Sequence, residues 1–183
     1  DIESLPHGIL FWRSLMQWLG GMGIILFTLA VLPMLNSGGG IQLFNAEVPG
    51  ITHDKLRQRI SETAKRLWIV YLSITVLLIV LLVLGPMNFF DAVCHALTTT
   101  ATGGYSTKQN SIAYWDSAYI EYVIIIFMLI SGINFSLVYH AALGDYKKLL
   151  QDEETKWFLF VVLLATAAIA AGLFISGQIY GNA

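Results

Sequence analysis

Thr98-Thr99-Thr100-Ala101-Thr102-Gly103-Gly104-Tyr105-Ser106 is the stretch on which the fold turns. It follows Phe89-Phe90-Asp91-Ala92-Val93-Cys94-His95-Ala96-Leu97, an apolar run that reads as a helix too short for a bilayer crossing, which needs roughly 20 residues. Runs long enough to cross stand on both sides, residues 67–84 before it and 118–143 after it. The order is span, half-span, turn, span, with Thr- and Gly-rich backbone at the turn.

Non-helical backbone at membrane depth leaves N–H and C=O groups unpaired, which is tolerated only where protein buries them or they line a watery cavity. Carbonyls facing such a cavity are ligands for a dehydrated cation, and oxygen-only chemistry suits an alkali ion better than a soft transition metal. The C-terminal end of the half-span, around Thr98 to Thr100, adds partial negative charge. Glycine permits the backbone angles that aim successive carbonyls the same way. Gly103 is therefore expected to be the least replaceable residue, because a Cβ there would obstruct an ion path or resist a left-handed backbone.

Working outward, the remaining chain reads as more membrane helix. Its residues are 56% hydrophobic and 12% charged, with mean hydropathy +0.68, well beyond the usual soluble composition. Further spans are expected over residues 9–34 and 157–175, and the class is all-α integral membrane protein. A net charge of −2 gives no basic face for nucleic acid. The single Cys94 excludes an internal disulfide. The chain opens without a Lys/Arg-led signal peptide and stops just after an apolar run, as though both ends were cuts through a longer protein.

Within the first span, Gly20, Gly21 and Gly23 suit close helix packing, with direct pore contact as the alternative. Arg13 is expected to snorkel to the interface, or else to pair with an acid. Residues 44–66 form the most polar part, where a short amphipathic helix leading into the next span is expected, with a solvated connector as the alternative. The span at 118–143 carries Gly132 and Asn134 near its middle, and a buried Asn in lipid needs a partner, either a neighbouring helix or the backbone supporting the turn. Residues 145–154 read as a charged loop. Lys55, Arg57, Arg59, Lys65 and Arg66 before the second span, and Lys147, Lys148 and Lys156 before the last, contrast with Lys108 alone beside the Thr/Gly stretch. Positive-inside then places both basic segments in the cytoplasm and the Thr/Gly stretch at the other side.

Asp91 and His95, spaced i, i+4, invite a metal or proton-relay reading, but two ligands without a third favour supporting hydrogen bonds. Gly38-Gly39-Gly40 lacks the preceding strand and following Lys-Ser/Thr of a phosphate loop.

Phe90-Asp91-Ala92 followed by Thr99-Thr100-Ala101-Thr102-Gly103-Gly104-Tyr105-Ser106 resembles the pore helix and selectivity-filter quarter of the bacterial TrkH/KtrB potassium-uptake family. Phe11-Trp12-Arg13-Ser14-Leu15-Met16-Gln17-Trp18-Leu19-Gly20-Gly21-Met22-Gly23 is similar to the second span of the preceding repeat there. The resemblance implies four helix, pore-loop, helix repeats around one pore. Residues 1–43 would be the last helix of one repeat, 44–66 a cytoplasmic connector, 67–144 a complete repeat, and 145–183 a cytoplasmic loop with the first helix of the next. It further implies K⁺ held by backbone oxygens of Thr100, Ala101, Thr102, Gly103 and Gly104, with Asp91, His95 and Asn134 supporting the filter. Implied partners are the other repeats of the same chain, a second copy in a homodimer, a cytosolic nucleotide-binding regulatory subunit and lipid. The implied site is a bacterial inner membrane, and no enzyme activity is expected. A membrane-embedded enzyme or relay using Asp91 and His95, and a non-conducting assembly subunit, are the rival classes.

Overall fold

The computed structural model describes residues 1–35 and 53–175, and every regular element among them is helical. The Gly38–Gly40 loop, the start of the 44–66 connector and the side chains of Lys55, Arg57 and Arg59 lie outside the described residues. Helices α1 (His7–Leu35), α2 (His53–Leu84), α3 (Phe89–Thr100) and α4 (Ala118–Gly132) are followed by α5 (Phe135–Ala142), α6 (Tyr146–Gln151) and α7 (Glu153–Ile175). A 3-10 turn occupies Ser111–Trp115. The described residues fall into two compact units that divide between Phe135 and Ser136.

In the first unit α3 is the hub, packed by α1, α2 and α4. Its 12 residues rise only about 18 Å, short of a hydrocarbon core of about 30 Å. It is buried at Asp91, Ala92 and from Cys94 to Thr100. Each neighbour contributes one helical stripe. On α2 it is Leu67, Val70, Tyr71, Ile74, Thr75, Leu78 and Leu82. On α1 it is Leu10, Ser14 and Met22, and on α4 Ile120, Ile124, Phe127 and Ser131. The opposite face of α2 is equally apolar yet exposed, at Ile69, Leu72, Val76, Leu77, Val80 and Val83. A helix that is apolar all round while burying one stripe is solvated by lipid or by further helices, not by water. Glu62–Leu84 and Glu153–Phe174 are each long and apolar enough to cross a membrane.

Two expectations need correction. The span over 118–143 is not one helix: α4 ends at Gly132, Ile133 is extended (φ −87°, ψ 152°), and helix resumes at Phe135. Gly132 and Asn134 flank the break. Glycine weakens helix by about 1 kcal/mol and Asn competes for backbone bonds, so apolarity alone overstated continuity there. The segment 145–154 is not a loop either, since α6 fills most of it and α7 begins at Glu153. In the second unit Asp152 stands between α6 and α7 and caps the latter. Its Oδ2 accepts from the Thr155 amide (2.7 Å) and hydroxyl (2.8 Å).

Candidate functional site

The site is built by the way α3 starts and stops. At its start Asn88 is the N-cap: its Oδ1 accepts from the Asp91 N–H (2.8 Å), while its amide donates to Asp91 Oδ2 (2.7 Å). At its end the Ala101 N–H reaches the Leu97 carbonyl (3.2 Å), the Thr102 N–H that of Thr99 (3.0 Å), and the Gly103 N–H that of Thr98 (2.8 Å). The last two bonds form a Schellman closure, whose left-handed position is usually glycine. Here that position is Thr102, at φ 55°. A β-branched residue in that region is strained by about 1–2 kcal/mol. Gly104 is left-handed as well, at φ 71°, whereas Gly103 is not. The expectation that Gly103 supplies the left-handed turn is thus corrected: the closure puts that angle one residue before it and one after.

Beyond the closure the chain is tied down again. Thr98 Oγ1 donates to the Tyr105 carbonyl (2.9 Å), and the Arg13 guanidinium donates to the Ser106 carbonyl while lying over the Tyr105 ring, 4.9 Å from its centroid. Among the described residues no donor engages the carbonyls of Thr100, Ala101, Thr102, Gly103 or Gly104. Five successive free carbonyls, bracketed by held ones on both sides, are what the segment offers chemically. The Thr100 hydroxyl, buried at the last turn of α3, also has no protein partner.

Asp91 and His95 sit behind this segment. Asp91 is 4% exposed, and its Oδ1 accepts from the Thr107 hydroxyl (2.6 Å). His95 Nδ1 meets the Asp91 carbonyl (2.8 Å), which can only accept, so Nδ1 carries hydrogen. His95 Nε2 meets Ser106 Oγ (3.0 Å), and that hydroxyl can donate to the ring while accepting from the Lys108 N–H (3.0 Å). A neutral imidazole satisfies every group in the chain of bonds. Trp115 closes over the His95 ring edge-on, with centroids 5.0 Å apart. No third His, Cys, Asp or Glu joins them as a metal group among the described residues. Asn134 lies in the break between α4 and α5.

Arg13 pairs with no acid among the described residues; its guanidinium donates to the Ser106 carbonyl. It belongs to a row the sequence reading missed. Arg13, Gln17 and Gly21 fall at i, i+4, i+8 on α1, and all three face the Thr/Gly segment. A Cβ on Gly21 would come 3.2 Å from that of Ala101 and 2.8 Å from Tyr71 Oη, so the packing reading of the α1 glycines holds at this one. A Cβ on Gly103 would overlap the Gln17 amide. Tyr71 in turn donates to the Trp18 carbonyl (2.9 Å), and Trp18 to Thr75 Oγ1 (3.0 Å), which locks α1 to α2 beside the loop. The signal was present in the sequence as an Arg, Gln, Gly stripe at fourfold spacing on an otherwise apolar helix.

A family model described as TrkH, cation transport protein, matches residues 1–175. The chain is 46% identical over 162 residues to the Trk system potassium uptake protein TrkH of Escherichia coli (strain K12), which covers 87% of this chain and 33% of that protein. It is 39% identical over 165 residues to the Trk system potassium uptake protein TrkG of the same organism, covering 89% and 34%. The crystal structure of the potassium transporter TrkH from Vibrio parahaemolyticus superposes with a TM-score of 0.80 at 36% identity, over 97% of this chain and 35% of that one. The chain therefore spans about a third of the length of these relatives.

Proposed function

We propose that this chain supplies one quarter of a potassium pathway, because it belongs to the TrkH family of cation transport proteins and carries a bracketed run of five unengaged carbonyls. In this reading the carbonyls of Thr100, Ala101, Thr102, Gly103 and Gly104 replace part of the hydration shell of K⁺, and three further quarters complete the ring. The negative end of α3 points its partial charge at the same place. Asp91 and His95 hold the returning segment 105–108 rather than react. The engagement of both Asp91 oxygens supports this role over an enzyme or relay.

The remaining repeats of the complete transporter cover the exposed apolar faces. Two copies pair, and a cytosolic nucleotide-binding subunit contacts the basic segments that include Lys147 and Lys148. The membrane is a bacterial inner membrane with the basic segments cytoplasmic. In a Cys94-free background, cysteine at Lys148 then labels from inside the cell and at Gln109 from outside. Labelling of both from one side would sink that orientation.

The carrying experiment is competitive K⁺/Na⁺ uptake by the complete transporter. Gly104→Ala, which forces a side chain onto a left-handed backbone, should admit Na⁺ or weaken K⁺ affinity at normal membrane abundance. Asp91→Asn and His95→Gln should change discrimination less. Loss of uptake in those two with native behaviour in Gly104→Ala would put the relay reading ahead.

A further inference from the structure

Like the Thr100 hydroxyl, the amide of Gln17 is a polar group near the carbonyl run with no bond among the described residues: its Oε1 is buried and unpartnered. Leaving a buried amide oxygen unsatisfied costs about 1–3 kcal/mol, so its position calls for a reason other than hydrogen bonding. We propose that Gln17 is a positioning residue for cation discrimination: its amide stands behind Gly103 as a wedge that fixes where the Gly103 carbonyl sits. The inference rests on the pore-lining reading of residues 100–104.

Three observations carry it. A Cβ on Gly103 would overlap Gln17 Cδ, Nε2 and Oε1 together, so the amide occupies the space a side chain at 103 would take. The backbone at Gly103 lies outside the left-handed region that its two neighbours occupy, so the local angle does not select glycine there. Finally, Gln17 is the middle of the α1 row whose ends also meet the segment, Gly21 at Ala101 and Arg13 at Tyr105 and Ser106. A rigid helix thus backs the irregular segment along its length, with Gln17 opposite the middle. Because the free end of Gln17 can swing, a Cβ at 103 is survivable. It shifts the amide, the carbonyl or both, and a carbonyl ring displaced by a fraction of an ångström no longer matches one ion size.

The test is a cycle in the complete transporter, reading KM for K⁺, maximal rate and Na⁺ competition at matched membrane abundance. Gly103→Ala should lower K⁺/Na⁺ discrimination by about tenfold, and Gln17→Ala by about threefold through loss of the wedge. Gln17→Met keeps the length and loses the amide, and should stay within about twofold of native. The double variant Gly103→Ala/Gln17→Ala should recover at least about threefold over Gly103→Ala, a coupling expected only of groups in contact. A double variant no better than Gly103→Ala, or a native ratio in Gln17→Ala, overturns the proposal. Should Gly103→Ala fail to accumulate, recovery of abundance on adding Gln17→Ala supports the contact and lack of recovery overturns it. If Gly103→Ala, Gln17→Ala and Gly104→Ala all keep the native ratio, the pore-lining reading itself has failed, an outcome separable from failure of the wedge alone.

Discussion

Helices α3 and α7 are both apolar, yet they are placed by opposite means. The α7 helix has 23 residues, its apolar stretch buries nothing within its own unit, and its ladder satisfies its own backbone. Length and hydropathy suffice to set it in lipid. The α3 helix has 12 residues and is too short to join the two aqueous faces, so its ends draw on partners inside the protein. Those partners are specific: Asn88 and Thr107 for Asp91, Ser106 for His95, and the Tyr105 carbonyl for Thr98. A long span thus spreads its sequence requirements thinly, whereas a half-span concentrates them at two ends.

The contrast is tested most severely at the C-terminal end of α3. Gly103→Ser should produce the largest functional change in the chain, a loss of K⁺/Na⁺ discrimination of about tenfold or more with insertion intact. Competitive uptake at matched abundance measures it, and native behaviour would mean that the end of the half-span is not where specificity lies. At the other end, Asp91→Ala removes a buried carboxylate acceptor of two hydrogen bonds and should lower stability by about 3 kcal/mol. Thermal unfolding of the purified transporter would read this, with surviving molecules still discriminating within about twofold. Thr102→Gly should act in the opposite sense. Relieving the left-handed threonine stabilises by about 1 kcal/mol once glycine's extra chain entropy is subtracted. A higher unfolding temperature together with weaker discrimination would mark Thr102 as strained for function, whereas an unchanged or lower temperature would deny the strain.

The sequence disclosed the parts of the fold that depend on length. Residues 67–84 and 157–175 are apolar for long enough that helix and lipid follow, and 89–97 is conspicuous for being too short. The break after Gly132 was not legible, because Ile133 and Phe135 keep the hydropathy high across it and only Gly132 and Asn134 hint at a stop. The site was legible as backbone and illegible as packing. Thr and Gly after a half-span point to carbonyls, but which carbonyls stay free depends on the bonds made by Thr98 and Arg13, and on Thr102 taking an angle its side chain disfavours. Gln17 stayed invisible because its contact with Gly103 joins two helices' worth of geometry, and spacing within α1 shows a stripe without saying what it faces.

The smallest expected effect belongs to α7, where the contrast predicts that only the terminus is particular. Asp152 caps α7 by accepting from the Thr155 amide and hydroxyl, and these bonds, the amide first, pull its carboxyl below the ordinary 3.8. A carboxyl with a lowered folded-state pKa contributes stability that is complete above the ordinary value and is lost as pH falls through the folded one. The window is therefore acidic, beginning near 3.8 and extending below it. Because Asp152 is only half-buried and caps a single turn, the effect is local fraying of that turn rather than global unfolding. Hydrogen exchange at the Thr155 amide, corrected for its intrinsic pH dependence, should lose protection across that window, and Asp152→Ala should show the unprotected rate at every pH. Asp152→Asn keeps a neutral acceptor and should be nearly pH-independent at an intermediate rate. If protection at Thr155 is the same in all three proteins and at all pH values, the cap does not hold the helix start, and α7 would then be placed by its apolar length alone.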